Sequence, residues 1–515
     1  MAAPDPTRKA ITSFYRENHP LERHWHPPTT TVACRLDHAG PAAIVCSLEF
    51  AAQLWPRPAT RKTMSSPSTD YEDYPRRATR KIKHIPGSSG LPLFGQTFSF
   101  LRNYKALTAE RYKKHGQISR GNTLFQHSLT LLGPEANEIV LKNSEGQFSS
   151  RLAWNPLLDR LFPNGLMLKD ADAHRYDRKI LQGAFKKSAI EGYLDTMNPH
   201  LESGLKAWPQ GKEFHFQHAV KQLLLEVAAE VFLGVEMGDE AAEVNQAFVD
   251  AMQASMAVVK LDIPGTLWHR GLRGRQKLED FVMAHIDAKR SGQGRDIFSQ
   301  ICHATDEDGN QFSDEAVRDH IIFLLFAAHD TTTSTLCSIV YALAKNPEWQ
   351  QRLREEFKAV GKAQLEYDDL GQLDDTKLVF KEALRMYPPV PGIPRRTVKD
   401  MELFGYQIPK NTAVAISPLF THYMEEYWTE PNRFDPERFS KARAEDKKHF
   451  FQWVPFGGGA HKCLGLNFAE VQTKLFLFHL LTRYQIKVKD GYEMPRTWVP
   501  LIFPADGLPV SFDAL

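Results

Sequence analysis

The chain has 515 residues, of which 42% are hydrophobic and 24% charged, a balance typical of globular proteins with a large buried core. Its formal net charge of +2 gives no indication of a nucleic-acid partner. Five cysteines are an odd number and lack CxxC or Cys/His spacing, which argues against a disulfide framework and a structural zinc site. This cysteine usage favours a reducing, cytoplasmic location.

Residues 1–80 are rich in Pro, Thr, Arg and His and show no sustained helical or strand periodicity. We expect a disordered or non-native N-terminal extension here, and Met64 is a second candidate for the native start. The most apolar stretch, residues 39–55, is interrupted by Pro41 and Glu49. A spanning helix needs about 18 consecutive apolar residues, so the sequence predicts no transmembrane anchor.

Residues 81–515 are expected to form a single domain that is mostly α-helical with small β-sheets. After turns at 85–87 and 90–92, an amphipathic run covers 98–115 and a short strand covers 128–132. Helical patterns follow over five ranges: 171–185, 216–232, 274–289, 314–345 and 347–360. Strand patterns return late in the chain, at 413–416 and 485–488. No GxGxxG fingerprint and no GKS or GKT phosphate loop is present.

A glycine-rich turn precedes one cysteine in Phe456-Gly457-Gly458-Gly459-Ala460-His461-Lys462-Cys463-Leu464-Gly465, and a helical pattern follows. The glycines permit a tight bulge in which backbone N–H groups point at the sulfur. The positive end of the following helix favours the thiolate of Cys463. Phe456 would shield the sulfur from water. The alternative is an incidental buried thiol beside a common turn.

Three further segments carry polar residues at informative spacings. Glu382 and Arg385 share a helical face, and Arg438 follows in the segment Pro436-Glu437-Arg438-Phe439; the alternative for such a pair is a solvated surface ion pair. Within the long apolar helical pattern at 314–345, the segment 326–332 interrupts the hydrophobic run with the polar residues Asp330 and Thr331. For Thr331 the alternative is back-bonding to preceding helix carbonyls.

Two basic side chains, His174 and Arg178, lie four residues apart on one helical face and suit an anionic group, although a solvated basic face is the alternative. Arg395 is a further candidate anchor in the run 394–397, and Arg396 is the other possible register.

Together these motifs, in this order from about residue 85 onward, resemble those of the cytochrome P450 family. The segments Pro388-Pro389-Val390-Pro391-Gly392 and Phe456-Gly457-Gly458-Gly459 look closest to bacterial and animal P450s related to the retinoic acid hydroxylases. The resemblance implies the P450 fold as a single heme domain. It also implies heme b, with Cys463 as the metal ligand.

Roles for the other residues follow from the resemblance. Heme contacts are expected from His174, Arg178, Arg395, Phe456, His461 and Gly465, and a structural triad from Glu382, Arg385 and Arg438. Thr331 would hydrogen-bond dioxygen, and Asp330 would relay protons to it. Two positions depart from the usual pattern: His461 stands where Arg is common, and Ala328 where Gly is common. His461 would make a weaker, more pH-dependent contact with a heme propionate, because histidine is not always charged.

The expected activity is insertion of one oxygen atom from O2 into an apolar molecule such as a fatty acid, terpenoid, steroid or retinoid. Substrate contacts are expected from Ala327, Ala328 and Val390, and from a loop between Phe148 and Met167 that carries Trp154, Leu157, Leu158 and Phe162. Arg151 in that loop could meet a carboxylate, although exposure to solvent is the default. Alternatives are a peroxide-driven peroxygenase, which the Asp330–Thr331 pair disfavours, and a non-catalytic heme sensor.

Electrons would come from a separate ferredoxin or flavodoxin type donor, since no reductase motif is present, and we expect a monomer. An acidic donor could be steered by basic residues near the cysteine, although ordinary solvated charge is an equal alternative. These residues are Lys179, Lys186, Lys187, Lys462 and Lys474.

Overall fold

The computed structural model describes residues 74–515, apart from residues 76, 93, 124–125, 236–238, 256 and 258–259. Most of the predicted extension, including Met64, lies outside the described residues, and the predicted boundary at 80/81 stays a prediction. The described residues just before that boundary bond to the domain. The Tyr74 hydroxyl donates to the Val398 carbonyl at 2.7 Å, and the Thr79 amide donates to the Asn411 carbonyl at 2.7 Å.

Helices dominate the described part of the chain. They are α1 (Thr97–Arg102), α2 (Tyr104–His115), α3 (Pro134–Lys142), α4 (Arg151–Leu158), α5 (Ala171–Leu181), α6 (Lys187–Lys206), α7 (Phe216–Ala228), α8 (Asp239–Ser255), α9 (Leu267–Ser291), α10 (Ile297–His303), α11 (Asp314–Lys345), α12 (Pro347–Val360), α13 (Asp374–Met386), α14 (Pro418–Thr421) and α15 (Leu466–Leu481).

The strands are short: β1 (Ile118–Thr123), β2 (Gln126–Leu131), β3 (Phe148–Ser149), β4 (Phe214–His215), β5 (Ile393–Thr397), β6 (Met401–Leu403), β7 (Tyr406–Ile408), β8 (Ala413–Ile416), β9 (Tyr484–Lys487), β10 (Arg496–Thr497), β11 (Phe503–Pro504) and β12 (Pro509–Ala514). The largest sheet has the order β1-β2-β8-β5-β3, in which only the β2–β8 pair is parallel. A second sheet has the order β4-β12-β9, and β6–β7 and β10–β11 form two-stranded pairs.

Local sequence signals set the ends of α11. The Ser313 side chain accepts the Ala316 amide at its start, where Asp314 and Glu315 also complement the helix dipole. Pro347 forces the chain out of the helical region at Asn346 and then opens α12. α11 packs against α15, and both are buried along most of their length, so the two helices form the centre of the core.

The predicted helical ranges are found with small differences. The run 98–115 is two helices, because the Asn103 side chain accepts the Ala106 amide and starts α2 anew. The range 171–185 ends as a 3₁₀ turn after Leu181, and 216–232 ends as a π-helical turn after Ala228. The mostly helical architecture with small sheets is confirmed. None of the helices in the described residues is both long and apolar enough to cross a membrane.

Candidate active site

Cys463 lies between a 3₁₀ turn, Gly459–His461, and the first residue of α15. Gly457 and Gly459 have positive φ angles of 66° and 61°, and a Cβ at Gly459 would collide with the Leu141 carbonyl of α3. The Cys463 amide donates to the Phe456 carbonyl at 2.9 Å, which closes the loop. The turn therefore needs glycine, and it fixes the position of the cysteine just before the start of α15.

The Cys463 side chain is inferred to border an internal space. It remains accessible to solvent, yet protein surrounds it closely enough that burial raises the pKa of its thiol. The Gly465 amide, which hydrogen-bonds to the sulfur, and the nearby charges of Arg178 and Lys462 oppose that rise and favour the thiolate. A Cβ at Gly465 would meet no atom of the described residues within 4 Å.

The middle of α11 borders an internal space in the same way. Ala327 is exposed and Thr331 partly exposed, although most of the helix around them is buried. The Thr331 hydroxyl donates to the Ala327 carbonyl at 2.8 Å, so it makes the back-bond that the sequence left as an alternative. α11 continues as an α-helix through Ala328, the position where the family commonly has glycine.

The Asp330 carboxylate lies in a polar cluster between α11 and α7. Lys221 of α7 lies 2.9 Å from its Oδ1, and the neighbouring His329 ring is at 3.1 Å. Burial by itself would raise the pKa of Asp330, but the contacts with His329 and Lys221 outweigh it and lower the pKa to about 2. The sequence prediction missed Lys221, because nothing in its local pattern relates it to α11.

The predicted basic anchors meet near the cysteine loop. The buried His174 ring of α5 lies 3.8 Å, centroid to centroid, from the His461 ring. Burial, His461 and Arg178 lower the pKa of His174 to about 3, and burial also lowers the pKa of His461. Arg178 Nη1 donates to the Lys462 carbonyl at 2.6 Å, which ties α5 to the loop.

Asp170, at the start of α5, is a further member of this group that sequence reasoning missed. Its Oδ1 lies 3.6 Å from His461 Nε2 and accepts the Ser150 amide at 2.8 Å. His461 is therefore turned toward a carboxylate inside the protein. An aspartate that precedes a helical run reads from sequence as an ordinary helix cap, which hides this role.

The strand β5 separates the two arginines that the sequence could not distinguish, since neighbouring residues of a strand point to opposite faces. Arg396 Nη1 donates to the Pro75 carbonyl at 3.1 Å. Arg395 is 7% exposed, and the one hydrogen bond that its guanidinium makes in the described residues goes to the Pro394 carbonyl. Burial lowers the pKa of Arg395 to about 10, so this cation lacks full compensation by the protein.

Glu382, Arg385 and Arg438 form a fully buried ion-pair cluster. Arg385 binds both Glu382 oxygens at 2.7 and 2.9 Å, and Arg438 donates to Glu382 at 3.1 Å. Arg438 also binds Glu445 at 3.0 Å, a fourth member that the sequence did not reveal. The cluster reaches the cysteine loop through His422, whose Nδ1 contacts the Arg385 carbonyl and whose Nε2 accepts the Val454 amide.

Apolar side chains face each other between α11 and the segment after α4. Phe162 is buried, and its ring lies 4.1 Å from the Phe326 ring of α11. Ala328 and Val390 are partly buried. The segment predicted as a loop between Phe148 and Met167 contains the helix α4, which carries Trp154, Leu157 and Leu158. Trp154 and Leu158 pack on the core, whereas Leu157 is 47% exposed.

The prediction that Lys474 helps to steer an acidic donor is wrong, because this lysine is not at the surface. It is buried and binds the Leu370 carbonyl and Glu470, both at 2.9 Å. Lys179 pairs with Glu307, and Lys187 with Asp368. Lys186 and Lys462 are exposed, with no carboxylate at ion-pair distance among the described residues.

A family model described as Cytochrome P450 matches residues 85–505. The chain belongs to the cytochrome P450 family. As a P450 it is a monooxygenase that binds heme b and iron, acts on a small organic molecule and takes electrons from a redox partner.

Several curated proteins are similar to this P450 over most of their length. "Putative cytochrome P450 136" of Mycobacterium tuberculosis is 37% identical over 436 residues, which are 83% of this chain and 88% of that protein. "Cytochrome P450 26B1" of Homo sapiens is 30% identical over 458 residues, 84% and 88% of the two chains. "Taxane 10-beta-hydroxylase" of Taxus cuspidata is 28% identical over 423 residues, 78% and 84% of the two chains.

Among solved structures, "Retinoic acid bound cyanobacterial CYP120A1" is similar, with a TM-score of 0.76 and 27% sequence identity. The match covers 84% of this chain and 99% of that chain. The fold of this P450 is thus shared with a protein whose structure holds a retinoid.

The residues around Cys463 fit heme b. A thiol lies at an internal space with an amide directed at its sulfur, and a glycine without close neighbours follows it. On the adjoining elements, Arg395 is a buried, incompletely compensated cation, which suits a propionate. The donor set is one sulfur with no nitrogen or oxygen cluster, since the described residues hold no group of three or more His, Cys, Asp or Glu that could bind a metal ion.

Proposed function

We propose that this P450 hydroxylates an apolar isoprenoid-like molecule at a heme held by Cys463. The observation that carries the proposal is the cysteine loop, which directs the Gly465 amide at a sulfur bordering an internal space. When bound, heme supplies the redox chemistry that activates dioxygen. Arg395, Arg178 and His174 would hold its propionates. His461 would contribute less, because it is turned toward Asp170.

Proton handling is assigned to Thr331 and Asp330. The Thr331 hydroxyl already donates to Ala327, so its oxygen keeps its capacity to accept a hydrogen bond from the space beyond α11. Asp330 is held as a carboxylate by Lys221 and His329. Release of one of these contacts would let the Asp330 carboxylate turn, take up a proton from solvent and pass that proton toward Thr331 Oγ1.

Apolar contacts and the relatives' names together favour an isoprenoid substrate over the other apolar classes. Phe162, Phe326 and Ala327 offer rings and methyl groups and no charge. One relative is named for a taxane, and one solved structure holds retinoic acid. Both molecules are built from isoprene units.

We place the docking surface for the electron donor beside the cysteine loop. Phe450 is 86% exposed, and its ring lies 5.1 Å from the ring of Phe451, which packs on Gly458. Lys447 and Lys448 precede this aromatic residue in the chain, Lys462 lies in the cysteine loop, and all three are exposed. An exposed aromatic side chain, with exposed lysines before it in the chain and in the cysteine loop, suits an acidic ferredoxin or flavodoxin type protein.

Two experiments, first a spectrum of the reduced heme and then substrate turnover, test the proposal. The dithionite-reduced protein should give a carbon monoxide difference spectrum typical of thiolate ligation, and a non-thiolate spectrum would refute the assignment of Cys463. Isoprenoid acids and alcohols should then shift the heme spectrum. With a surrogate ferredoxin and reductase they should yield hydroxylated products.

Thr331→Ala separates oxygen-driven from peroxide-driven chemistry. We expect at least a tenfold fall in product formed per electron consumed, with peroxide-driven turnover retained. Thr333→Val is the matched control, because the Thr333 hydroxyl only back-bonds to the His329 carbonyl in the buried part of α11. Equal coupling in wild type and Thr331→Ala would favour a peroxygenase, and no turnover with either oxidant would favour a heme sensor.

A further inference from the structure

A polar cleft of about 610 Å³ lies outside the candidate active site. Its walls are the start of α2, the ends of α11 and α13, the start of α12, the segment 432–437 and strand β10. Tyr341 on its wall is ten residues beyond Thr331 on α11, about 15 Å at the usual helical rise. None of the proposed heme or oxygen contacts lines this cleft.

Most charged side chains of the cleft are already paired. Lys345 binds Glu493 at 2.9 Å, and Arg352 binds Glu437 at 2.7 Å. Asp435 is paired with Arg443 at 2.5 Å. Among the described charged side chains that line the cleft, Lys105, Arg496 and Glu348 are left without an ion pair.

Lys105 and Arg496 differ from the other cations of the cleft. The Lys105 ammonium lies 3.2 Å from the centre of the Tyr423 ring and donates to Asn432 Oδ1 at 2.8 Å. The Arg496 guanidinium lies 5.0 Å from the centre of the Tyr387 ring. In the described part of the chain, neither has a carboxylate at ion-pair distance. Partly buried cations that lack an ion-paired carboxylate carry a desolvation cost that is only partly offset by the aromatic rings.

The electrostatics of Lys105 agree with this geometry. Burial, and then repulsion by Arg496 and Arg385, lowers the pKa of Lys105 to about 7. Arg385 is neutralised by Glu382. Arg496 makes no ion pair among the described residues, although its charge acts on Glu493, which Lys345 already binds. An anion placed between Lys105 and Arg496 would relieve both the desolvation and the mutual repulsion.

We propose that this cleft is a second ligand site, which binds a phosphate or sulfate group between the Lys105 ammonium and the Arg496 guanidinium. Lysine offers a point charge and arginine a planar fork of donors, and both suit a tetrahedral oxyanion. The rings of Tyr341, Tyr387 and Tyr423 form an adjoining wall that suits an organic group attached to that anion. The group can therefore come from a free anion or from an organic phosphate or sulfate.

Occupation of the site should stabilise the heme domain through α13. The cleft wall includes Met386 and Tyr387 at the end of α13, and the amide of Asp435 donates to Glu382 at 2.9 Å. A ligand held here would restrain the helix end and the segment that together enclose the Glu382–Arg385 pair. Binding is thus expected to raise the melting temperature of the holoenzyme.

Sodium sulfate titrated into the holoenzyme, with sodium chloride keeping the ionic strength constant, tests the site. We expect saturable heat of binding and a saturable rise in Tm. Lys105→Met and Arg496→Met, which keep apolar length but remove the charge, should each weaken binding at least tenfold. Lys113→Met is the matched control, because Lys113 is exposed on the same helix, α2, and does not line the cleft. It should bind sulfate as wild type does.

Phenyl phosphate compared with inorganic phosphate distinguishes the two sources of the anion. At least tenfold tighter binding of phenyl phosphate indicates an organic ligand that uses the tyrosine wall, and equal affinity indicates the free anion. Sulfate binding that does not saturate, or that is unchanged in both cleft variants, overturns the proposal. Carbon monoxide spectra of each variant show separately that the heme site is intact, so the result does not depend on the proposed hydroxylation.

Discussion

Lys221 on α7 and Asp330 on α11 form an ion pair, with 2.9 Å between Nζ and Oδ1. This contact joins two helices that the sequence pattern treats separately, and it holds the acidic residue of the proposed proton path as a carboxylate. The same carboxylate contacts His329 at 3.1 Å. Asp330 must therefore release at least one of these partners and take up a proton before it can donate toward Thr331.

The Lys221–Asp330 pair predicts a pH-dependent stability. A carboxyl group whose pKa falls to about 2 on folding stabilises the protein above an unfolded pKa of about 4, by roughly 2 kcal/mol, and loses this contribution as the pH falls through 2. Lys221→Met should therefore lower the free energy of unfolding by roughly 1–2 kcal/mol at pH 6 and by much less near pH 2. Urea unfolding at several pH values measures this. Lys206→Met, in an exposed pair with Glu202, should show little effect. A loss of the same size at pH 2 and pH 6 would contradict the prediction.

Cys463→Ser should abolish the thiolate-type carbon monoxide spectrum, because a hydroxyl cannot replace the thiolate as a ligand to heme iron. Cys302→Ala is the control. Cys302 is buried in the core, where burial raises the pKa of its thiol to about 11. It therefore packs there as a small hydrophobic residue. The control variant should keep the wild-type spectrum. A thiolate spectrum in Cys463→Ser would show that another cysteine binds the iron.

Arg395→Met should speed heme loss by at least tenfold, since it removes the buried cation assigned to a propionate. Transfer of heme to excess apomyoglobin gives the rate. Arg396→Met is the matched control on the same strand, because its guanidinium donates to the Pro75 carbonyl. Faster loss in the control than in Arg395→Met would reverse the assignment of the two arginines.

Arg438→Gln should destabilise the protein by about 3–5 kcal/mol, because it leaves Glu382 and Glu445 buried beside one cation fewer. Glu437→Gln, one residue earlier, removes a partly exposed pair with Arg352 and should cost less than about 1 kcal/mol. Urea unfolding and the heme content of purified protein provide the comparison. Equal losses in the two variants would mean that the buried cluster has no special structural role.

Phe450→Ser should raise the KM for an acidic protein donor by at least fivefold, because it removes the apolar centre of the proposed docking surface. Reduction by dithionite should be unaffected. Phe98→Ser is the control, as Phe98 is 58% exposed on α1 and lies outside that surface. An unchanged KM in Phe450→Ser would place the donor elsewhere.

The sequence by itself determined the elements whose signals are local. Ser313 and Pro347 bound α11, and the predicted range 314–345 is the helix that the structure contains. The glycine-rich turn before Cys463 was recognisable because its glycines and the following helix lie within ten residues. The pairing of Glu382 with Arg385 follows from helical spacing in the same way.

Tertiary structure decided which side chains meet across the core. Asp170 with His461, Lys221 with Asp330, and Glu445 with Arg438 are contacts that the sequence analysis did not predict. The tertiary structure also buries Lys474 and places Arg395 and Arg396 on opposite faces of β5. The physical reason is that short-range periodicity fixes backbone conformation and the faces of an element. The partner of a buried charge depends on which elements pack against that face, and local sequence carries no record of that.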